Sequence, residues 1–167
     1  MNIFALHSDP VKAAEYLDDK RVPKMVLESA QILSSALDNL GLWKSYLYKP
    51  THKSHPCVRW AGSSRGNFEW LVMHGLALGV EYKRRFGATK DHRSVKVILD
   101  CAERFKDCRM DVLGMTRFCN CTNITSNGTD VVSLYRQYMR QSKWGLLTKW
   151  TNRGKPDWYV PLDAGIQ

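Results

Sequence analysis

An all-α fold is predicted by three properties of this 167-residue chain. Apolar residues recur at helical intervals of three and four in several separate stretches. Prolines stand where helices begin, and glycines follow the last apolar residue of two of these patterns. No stretch shows a convincing alternation of apolar and polar residues, which is the pattern of a half-buried strand. We therefore expect a compact helical bundle with long loops, in which residues 1–167 form a single domain.

Pro23 divides the first part of the chain into two helices. It disfavours helical backbone at the residue before it, so the first helix, which begins at Pro10, should end near residues 18–21. Pro23 then suits the first turn of a longer helix that ends at Gly41. Ahead of both, the apolar residues 1–7 are expected to pack against the core as a strand-like or extended lead-in. The apolar stripe of the longer helix consists of Val26, Ala30, Leu33, Leu37 and Leu40.

Three further helices are predicted after a long loop. That loop, residues 42–63, interleaves aromatic and basic residues, a composition that can stack on bases and neutralise phosphates. In the first of the three helices, Gly75 and Gly79 stand four residues apart and would let another helix approach closely. An aromatic–basic composition returns in residues 143–159. The predicted helices cover residues 64–86, 91–108 and 129–141.

Composition limits the class of protein and its partners. A hydrophobic share of 44% and six tryptophans are typical of a folded globule. No apolar run is long enough to span a membrane, and residues 1–7 do not resemble a signal peptide. We therefore expect a monomeric cytoplasmic protein with no membrane partner.

Positive charge is concentrated after residue 40. The formal net charge is +9, and residues 1–40 carry −2 (six acids, four bases), so residues 41–167 carry +11. A polyanion is the natural partner of such a surface, with double-stranded DNA first. The alternative is a basic surface with no nucleic-acid ligand.

Residues 9–31 mix acidic and basic side chains where a core segment should be apolar. In a helix, Lys24, Glu28 and Gln31 lie on one stripe, because they are four and three residues apart. Carboxylates and amines held this close shift the pKa values of one another, as an active site requires. The alternative is a solvated helix face with ordinary ion pairs. The segment reads DPVKAAEYLDDKRVPKMVLESAQ.

The cysteines and histidines give no strong metal signature. Cys119 and Cys121 form the one close pair among five cysteines. A zinc site that combines this pair with His92 or His74 would have a spacing unlike known structural zinc sites. We therefore predict no metal and no cofactor. His74, in the middle of an apolar helix, is interpreted as a core histidine.

Four segments resemble the pyrimidine-dimer DNA glycosylases of the endonuclease V type, which occur in phages and bacteria. The resemblance covers about residues 1–87 and is closest to an uncharacterised phage branch, which implies a location in the host cytoplasm if a phage encodes the chain. It implies a small all-α fold that binds DNA and acts on a nucleotide turned out of the stack. The family's catalytic glutamate falls on Asp18, or on Asp19 after a one-residue slip. The segments are MNIFALH, AAEYLDDKRV, SHPCVRWAG and NFEWLVMHGLALGVEYKRRFG.

The chain departs from that family at two positions. The phage repair enzyme attacks the sugar with the amine of a small residue that is exposed once Met1 is removed. Here Asn2 follows Met1, so removal of Met1 is not expected. Leu17 replaces a basic residue beside the catalytic position. Both departures shift the expected chemistry to the side chains of residues 9–31.

The resemblance implies a reaction in which an N-glycosidic bond to a pyrimidine is cleaved or exchanged. Asp18 or Asp19 would stabilise the oxocarbenium-like sugar, and Lys20 or Lys24 would form a Schiff base or hold a phosphate. The alternatives are a non-catalytic DNA-binding protein and a transferase in DNA base hypermodification. The predicted catalytic group is Asp18, Asp19, Lys20, Lys24 and Glu28; the substrate pocket Gln31, His55, Arg59, Trp60 and Asn67; and the DNA-backbone contacts Arg21, Lys83, Arg84, Arg85 and Arg93.

Overall fold

Six helices make up the regular structure of the computed structural model, which describes residues 1–141 and 148–160. No strand occurs in these residues, so the prediction of an all-α fold is confirmed. None of the helices in the described part is both long and apolar enough to cross a membrane. The helices are α1 (Pro10–Tyr16), α2 (Arg21–Asn39), α3 (Pro56–Ala61), α4 (Arg65–Phe86), α5 (Ser94–Phe105) and α6 (Val131–Gln141).

Helix α4 has bounds close to those predicted, whereas α2 begins at Arg21, two residues before Pro23, and α5 is shorter than the predicted 91–108. Pro23 is accommodated within the first turn of α2, where its missing amide costs no helical hydrogen bond. The Asp9 carboxylate accepts a hydrogen bond from the backbone amide of Lys12 at 2.8 Å and caps α1, with proline in its first turn. Ser64 caps α4 in the same way, by accepting from the amide of Asn67 at 3.1 Å. Gly87 ends α4 with a φ of +61°, a left-handed conformation that glycine adopts without strain.

Helix α4 is the centre of the fold and packs against α1, α2 and α5. Two of its glycines have no room for a side chain. A Cβ atom on Gly75 would lie 2.7 Å from the Ile98 side chain and 3.0 Å from Ser29 Cβ. One on Gly79 would lie 2.6 Å from the Val95 side chain. The predicted close approach of another helix at this glycine pair is therefore confirmed.

Residues 1–6, here called the N-terminal turn, enter the core without regular secondary structure. Ile3, Ala5 and Leu6 are fully buried, as the packing of an apolar lead-in requires. The backbone is bent rather than strand-like, since the Leu6 amide donates to the carbonyl of Phe4 at 2.7 Å. Phe4 has a φ of +40°, which is costly for a residue with a side chain.

A short helix, α3, lies inside the stretch that the sequence pattern predicts to be a loop. His55 caps it by accepting from the Cys57 amide at 3.2 Å, and Pro56 occupies its first turn. Six residues are too few to display a helical repeat of apolar positions, which is why the pattern does not predict it. Its buried residues are Cys57, Val58, Trp60 and Ala61.

Residues 148–160 are fastened to α4 by buried ion pairs between Glu81, Arg85 and Arg153, here called the Glu81 cluster. Arg153 donates to the two carboxylate oxygens of Glu81 at 2.6 and 2.8 Å, and Arg85 donates to one of them at 2.9 Å. Burial alone would raise the pKa of Glu81, but the hydrogen bonds from the two guanidinium groups lower it. The cluster therefore holds a fully ionised carboxylate inside the protein.

The aromatic–basic stretch near the C-terminus is described in part. Trp150 and Tyr159 are buried, with ring centroids 4.7 Å apart. The indole of Trp150 donates to the carbonyl of Tyr16 at 3.0 Å. These aromatic side chains thus complete the core beside α1. Lys143 and Trp144 lie outside the described residues.

Candidate active site

The two aspartates between α1 and α2 are occupied by contacts within the protein. Asp18 is 1% exposed, accepts from the Arg21 amide at 3.0 Å and also pairs with the Arg21 guanidinium. Asp19 accepts from the hydroxyl of Thr151 at 2.7 Å and from its amide at 3.0 Å. Arg85 contacts Asp19 from the interior at 3.3 Å. These contacts stabilise the start of α2 and the position of residues 148–160.

Glu28 has weaker compensation and faces the N-terminal turn. Glu28 is 8% exposed, and one of its carboxylate oxygens accepts a hydrogen bond from the Asn2 amide at 2.8 Å. The α-amino group of Met1 lies 3.9 Å from the same oxygen. The Lys24 amine lies 3.6 Å from the other oxygen, and the Lys24 side chain is 70% exposed. The carboxylate therefore lies at the edge of the core, where it opens toward solvent beside Lys24.

The predicted stripe on one face of a helix is present in α2. Lys24, Glu28 and Gln31 occupy successive turns of this helix, and Arg21 extends the stripe by one turn toward the helix start. Lys20 precedes the helix and is exposed. The structure thus brings Lys24, Glu28 and Gln31 together, whereas Asp18 pairs with Arg21 at the start of α2 and Asp19 contacts residues outside the helix.

Aromatic side chains lie beside this stripe. The Arg21 guanidinium stands 5.5 Å from the centre of the Phe4 ring, a cation–π contact. The Phe4 ring is 5.9 Å from that of Tyr135 and 6.0 Å from that of Tyr138, both on α6. A half-buried aromatic ring in a strained turn beside this stripe can stack on a planar ring such as a base.

Next to the N-terminal turn, three cysteines and a histidine come together. Cys57 Sγ lies 3.5 Å from Cys121 Sγ and 3.5 Å from Cys119 Sγ. His55 belongs to the same cluster, because ligand atoms of His55, Cys57 and Cys121 lie within 4.8 Å of one another. Hydrogen bonds among the three thiols lower the pKa of Cys121 and raise the pKa of Cys57. Within the cluster, Cys121 is therefore the thiol that ionises most readily.

Two of the other predicted pocket residues contribute to the core. Trp60 is 6% exposed and packs edge-on against Trp70, with ring centroids 5.9 Å apart. Asn67 is fully buried and donates to the Trp60 carbonyl at 2.8 Å. The Asn67 side chain also donates to the Thr116 hydroxyl at 2.7 Å and accepts from the Thr116 backbone amide at 2.9 Å. Arg59, in contrast, is exposed on α3.

His74 has the environment of a core histidine, as its sequence context predicts. It is fully buried, and its Nδ1 atom lies 3.0 Å from the carbonyl oxygen of Pro10. Burial lowers the pKa of His74 to about 4. The imidazole is therefore neutral near pH 7 and positions α1 on α4.

The basic residues predicted to contact the DNA backbone differ in exposure. Lys83, Arg84 and Arg93 are exposed at the end of α4 and the start of α5. Lys83 pairs with Asp91 at 3.0 Å. Arg85 is 2% exposed and donates to Glu81 and to carbonyl groups in the interior, so it presents no surface to a phosphate.

A groove of about 500 Å³ lies on a different face, between α1 and α4. Val11, Met73 and Val80 expose apolar surface along it. Glu28 does not line this groove, so the groove and the carboxylate at the N-terminal turn are separate features.

A family model described as pyrimidine dimer DNA glycosylase matches residues 1–94, more than half of the chain. The helical chain with this N-terminal site therefore belongs to the pyrimidine dimer DNA glycosylase family. No curated protein and no solved structure gives a significant match. The matched residues include Glu28 and the α3 helix, whereas Cys119, Cys121 and residues 148–160 follow them.

The sequence pattern did not indicate the contribution of the N-terminal turn. Met1 and Asn2 contact Glu28, and Phe4 places its ring beside the α2 stripe. A seven-residue apolar segment carries no periodic signal that would orient it. Asn2 offered one local indication, because its side chain accepts from the amides of Ile3 and Phe4 at 2.8 and 3.1 Å, as asparagine does in tight turns.

Proposed function

We propose that this protein is a DNA glycosylase that cleaves the N-glycosidic bond of a pyrimidine nucleotide turned out of the duplex, with Glu28 as the catalytic carboxylate. The observation that carries the proposal is the position of Glu28. Its carboxylate is nearly buried, yet its nearest cations are amines at 3.6 and 3.9 Å instead of guanidinium groups in direct hydrogen bonds. It therefore keeps acceptor capacity for a developing positive charge.

Glu28 is a better candidate than the aspartates that the family resemblance pointed to. The carboxylates of Asp18 and Asp19 each accept hydrogen bonds that fix the α1–α2 break and residues 148–160. A substrate would have to displace those contacts to reach either group. Glu28, in contrast, pairs with the exposed Lys24 side chain, which can move aside at lower cost.

The proposed reaction depends on the positive charge that develops on the sugar. When the bond between C1′ and the base nitrogen breaks, the electron pair leaves with the base, which takes up a proton, and the sugar becomes positive. The Glu28 carboxylate stabilises that charge until a nucleophile attacks C1′. Water as nucleophile gives simple base release.

An amine as nucleophile would instead give a covalent intermediate. A neutral amine attacks C1′ and loses a proton; the sugar ring then opens as the C1′–O4′ bond breaks, O4′ is protonated, and a protonated imine remains. Lys24 and the α-amino group of Met1 are the two amines in contact with Glu28. Lys20 stands just ahead of α2 and is the further candidate.

Recognition of the substrate rests on stacking and on charge. The half-buried rings of Phe4 and Tyr138 provide aromatic surface for an extruded base, and the fully buried Tyr135 packs against Phe4 from the interior. Arg59 and Gln31 are fully and partly exposed polar residues, respectively, and are available to the base or its phosphates. The exposed cations Lys83, Arg84 and Arg93 belong to the part of the chain that carries +11 and would contact the DNA backbone.

The test is nucleoside and free-base mass spectrometry after incubation with labelled duplexes. One duplex carries a single cyclobutane pyrimidine dimer, a second a modified pyrimidine, and a third is unmodified. We expect glycosidic cleavage at a pyrimidine in at least one of them. Salt-dependent binding without any product would contradict the proposal and indicate a DNA-binding protein. A new nucleoside would indicate a transferase.

Borohydride trapping identifies the nucleophile in the same reactions. Reduction of an imine links the enzyme covalently to the DNA, and peptide mapping then locates the linked residue. A link to Met1, Lys20 or Lys24 indicates an amine mechanism at that residue. Base release without any link indicates water as the nucleophile and leaves the role of Glu28 unchanged.

A further inference from the structure

We propose that His55, Cys57, Cys119 and Cys121 bind a structural Zn²⁺ ion, which joins α3 to the loop before α6. The four residues come from two positions far apart in the chain, a His-x-Cys and a Cys-x-Cys segment. Ligand atoms of His55, Cys57 and Cys121 lie within 4.8 Å of one another, and Cys119 Sγ lies 3.5 Å from Cys57 Sγ. Three thiolates and one imidazole are a common structural zinc set.

The sulfur spacing fits a shared metal better than a disulfide. The Sγ–Sγ distances from Cys57 to Cys121 and from Cys57 to Cys119 are both 3.5 Å. Two sulfurs bound to one tetrahedral zinc at about 2.3 Å are about 3.8 Å apart. Sulfurs in a disulfide are about 2.05 Å apart, and one sulfur cannot bond to both neighbours in this way. The arrangement in which Cys57 contacts two partners equally therefore fits a metal site.

The loop that carries the cysteine pair is held in shape by its own hydrogen bonds. The Asn120 side chain accepts from the Thr122 hydroxyl at 2.7 Å and donates to the Ile124 carbonyl at 2.8 Å. The Tyr135 hydroxyl donates to the Cys119 carbonyl at 3.0 Å. These contacts arrange the backbone on both sides of the sulfurs before any ion binds, as outer contacts do in metal sites.

His55 is fixed by the start of α3. It caps the helix through its Nδ1 atom, which accepts from the Cys57 amide at 3.2 Å. That contact sets the orientation of the imidazole relative to the cysteine two residues later. Because an imidazole that accepts at Nδ1 carries its proton on Nε2, zinc would bind at Nδ1 in place of this cap bond and leave the Nε2–H group as a donor.

The remaining two cysteines, Cys101 and Cys108, lie apart from this cluster. Cys101 is buried against the Ser34 hydroxyl at 3.6 Å, and burial raises its pKa to about 12. Cys108 contacts the neighbouring carbonyl of Arg109 at 3.8 Å. Neither is part of the cluster, so both serve as controls.

Zinc here would fix the N-terminal turn through one hydrogen bond. The Asn2 side chain donates to the Cys121 carbonyl at 3.4 Å, while the Asn2 amide donates to Glu28 at 2.8 Å. The metal would thus hold the segment that contacts the candidate catalytic carboxylate. The metal site itself does not depend on the proposed glycosylase reaction, and Cys119 and Cys121 follow the residues that match the family.

The first experiment measures zinc in the full-length protein purified under reducing conditions. We expect one Zn²⁺ per chain, and cobalt substitution should give the intense visible bands of a tetrahedral thiolate site. Cys57→Ser and Cys121→Ser should each lose most of the bound zinc. Cys101→Ser and Cys108→Ser should keep it. Absence of zinc after refolding with the ion, iron in its place, or equal loss in all four variants would overturn the proposal.

Thiol mapping on the wild-type protein covers the case in which a variant does not fold. With zinc bound, an alkylating reagent should spare Cys57, Cys119 and Cys121. A chelator should make these three reactive together, while the reactivity of Cys101 changes little. Alkylation of the three at the same rate with and without chelator, or a disulfide at Cys57 in the freshly purified protein, would refute the metal site.

Discussion

Two buried glutamates in this protein are compensated in different ways. Glu81 on α4 receives hydrogen bonds from two guanidinium groups, at 2.6, 2.8 and 2.9 Å. Glu28 on α2 receives one backbone hydrogen bond at 2.8 Å, and its amine partners lie 3.6 and 3.9 Å away. A carboxylate whose lone pairs are filled by arginine stabilises the fold. One with weaker partners keeps the capacity to interact with a substrate.

The largest effect should come from neutralising Glu28. Glu28→Gln keeps the shape and removes the charge, so we expect base release to fall by about 1,000-fold, because the positive sugar loses its stabilising anion. Affinity for DNA should hold or rise. Rates on the duplex that the wild type cleaves measure the effect. Asp38→Asn, a surface carboxylate on the same helix paired with Lys53, is the matched control.

A Glu28→Gln enzyme whose rate stays within a few-fold of the wild-type rate would contradict the catalytic role of Glu28. Equal inactivity of Asp38→Asn and Glu28→Gln would show that the loss is not specific to Glu28.

Neutralising Glu81 should affect stability instead of chemistry. Glu81→Gln leaves Arg85 and Arg153 without their shared anion, and breaking a buried ion pair costs about 3–5 kcal/mol. Denaturant unfolding measures this loss. Glu103→Gln removes a pair between exposed partners, Glu103 and Lys106, and should change stability by less than about 1 kcal/mol. Equal stability of the two variants would refute the structural role of the cluster.

His74 differs from the two glutamates because it is a buried titratable group that stays uncharged near pH 7. Its pKa is about 4 in the folded protein and 6.5 in the unfolded chain. The unfolded state therefore binds more protons between these values, and stability falls as the pH drops from about 6.5 toward 4, by roughly 3 kcal/mol in total. In His74→Gln this part of the pH dependence should be absent.

Unfolding free energies measured between pH 7 and the onset of carboxylate protonation test that slope. His52→Asn, which changes an exposed histidine, should retain the wild-type slope. A wild-type slope in His74→Gln would show that other groups cause the acid sensitivity.

The smallest of these effects is expected at Asp19. Asp19→Asn weakens the hydrogen bonds to Thr151 and the contact with Arg85, at a cost of about 1–2 kcal/mol. Base release should persist under conditions in which the variant is folded. Protease sensitivity of residues 148–160 should increase. Complete loss of activity in a folded Asp19→Asn protein would move the catalytic role from Glu28 back to Asp19.

Periodicity and capping in the sequence determined the helices and the stripe of Lys24, Glu28 and Gln31 on α2. These are local properties, because one turn of helix decides which residues share a face. Periodicity did not indicate α3, whose six residues are too few to show it. The choice among three nearby carboxylates could not be made from the sequence, because Asp19 contacts Thr151 and Glu28 contacts Asn2, both distant along the chain, whereas Asp18 pairs locally with Arg21.

The tertiary structure decided what the charged and sulfur-containing residues contact. Asp19 meets Thr151 and Cys57 meets Cys121, pairs that are 132 and 64 residues apart. No local spacing encodes such contacts, because they depend on how α2, α3 and α4 pack. The sequence by itself thus determined an all-α chain with an acid–base stripe. Long-range packing determined that Glu28 faces the N-terminal turn, and that a histidine and three cysteines meet beside it.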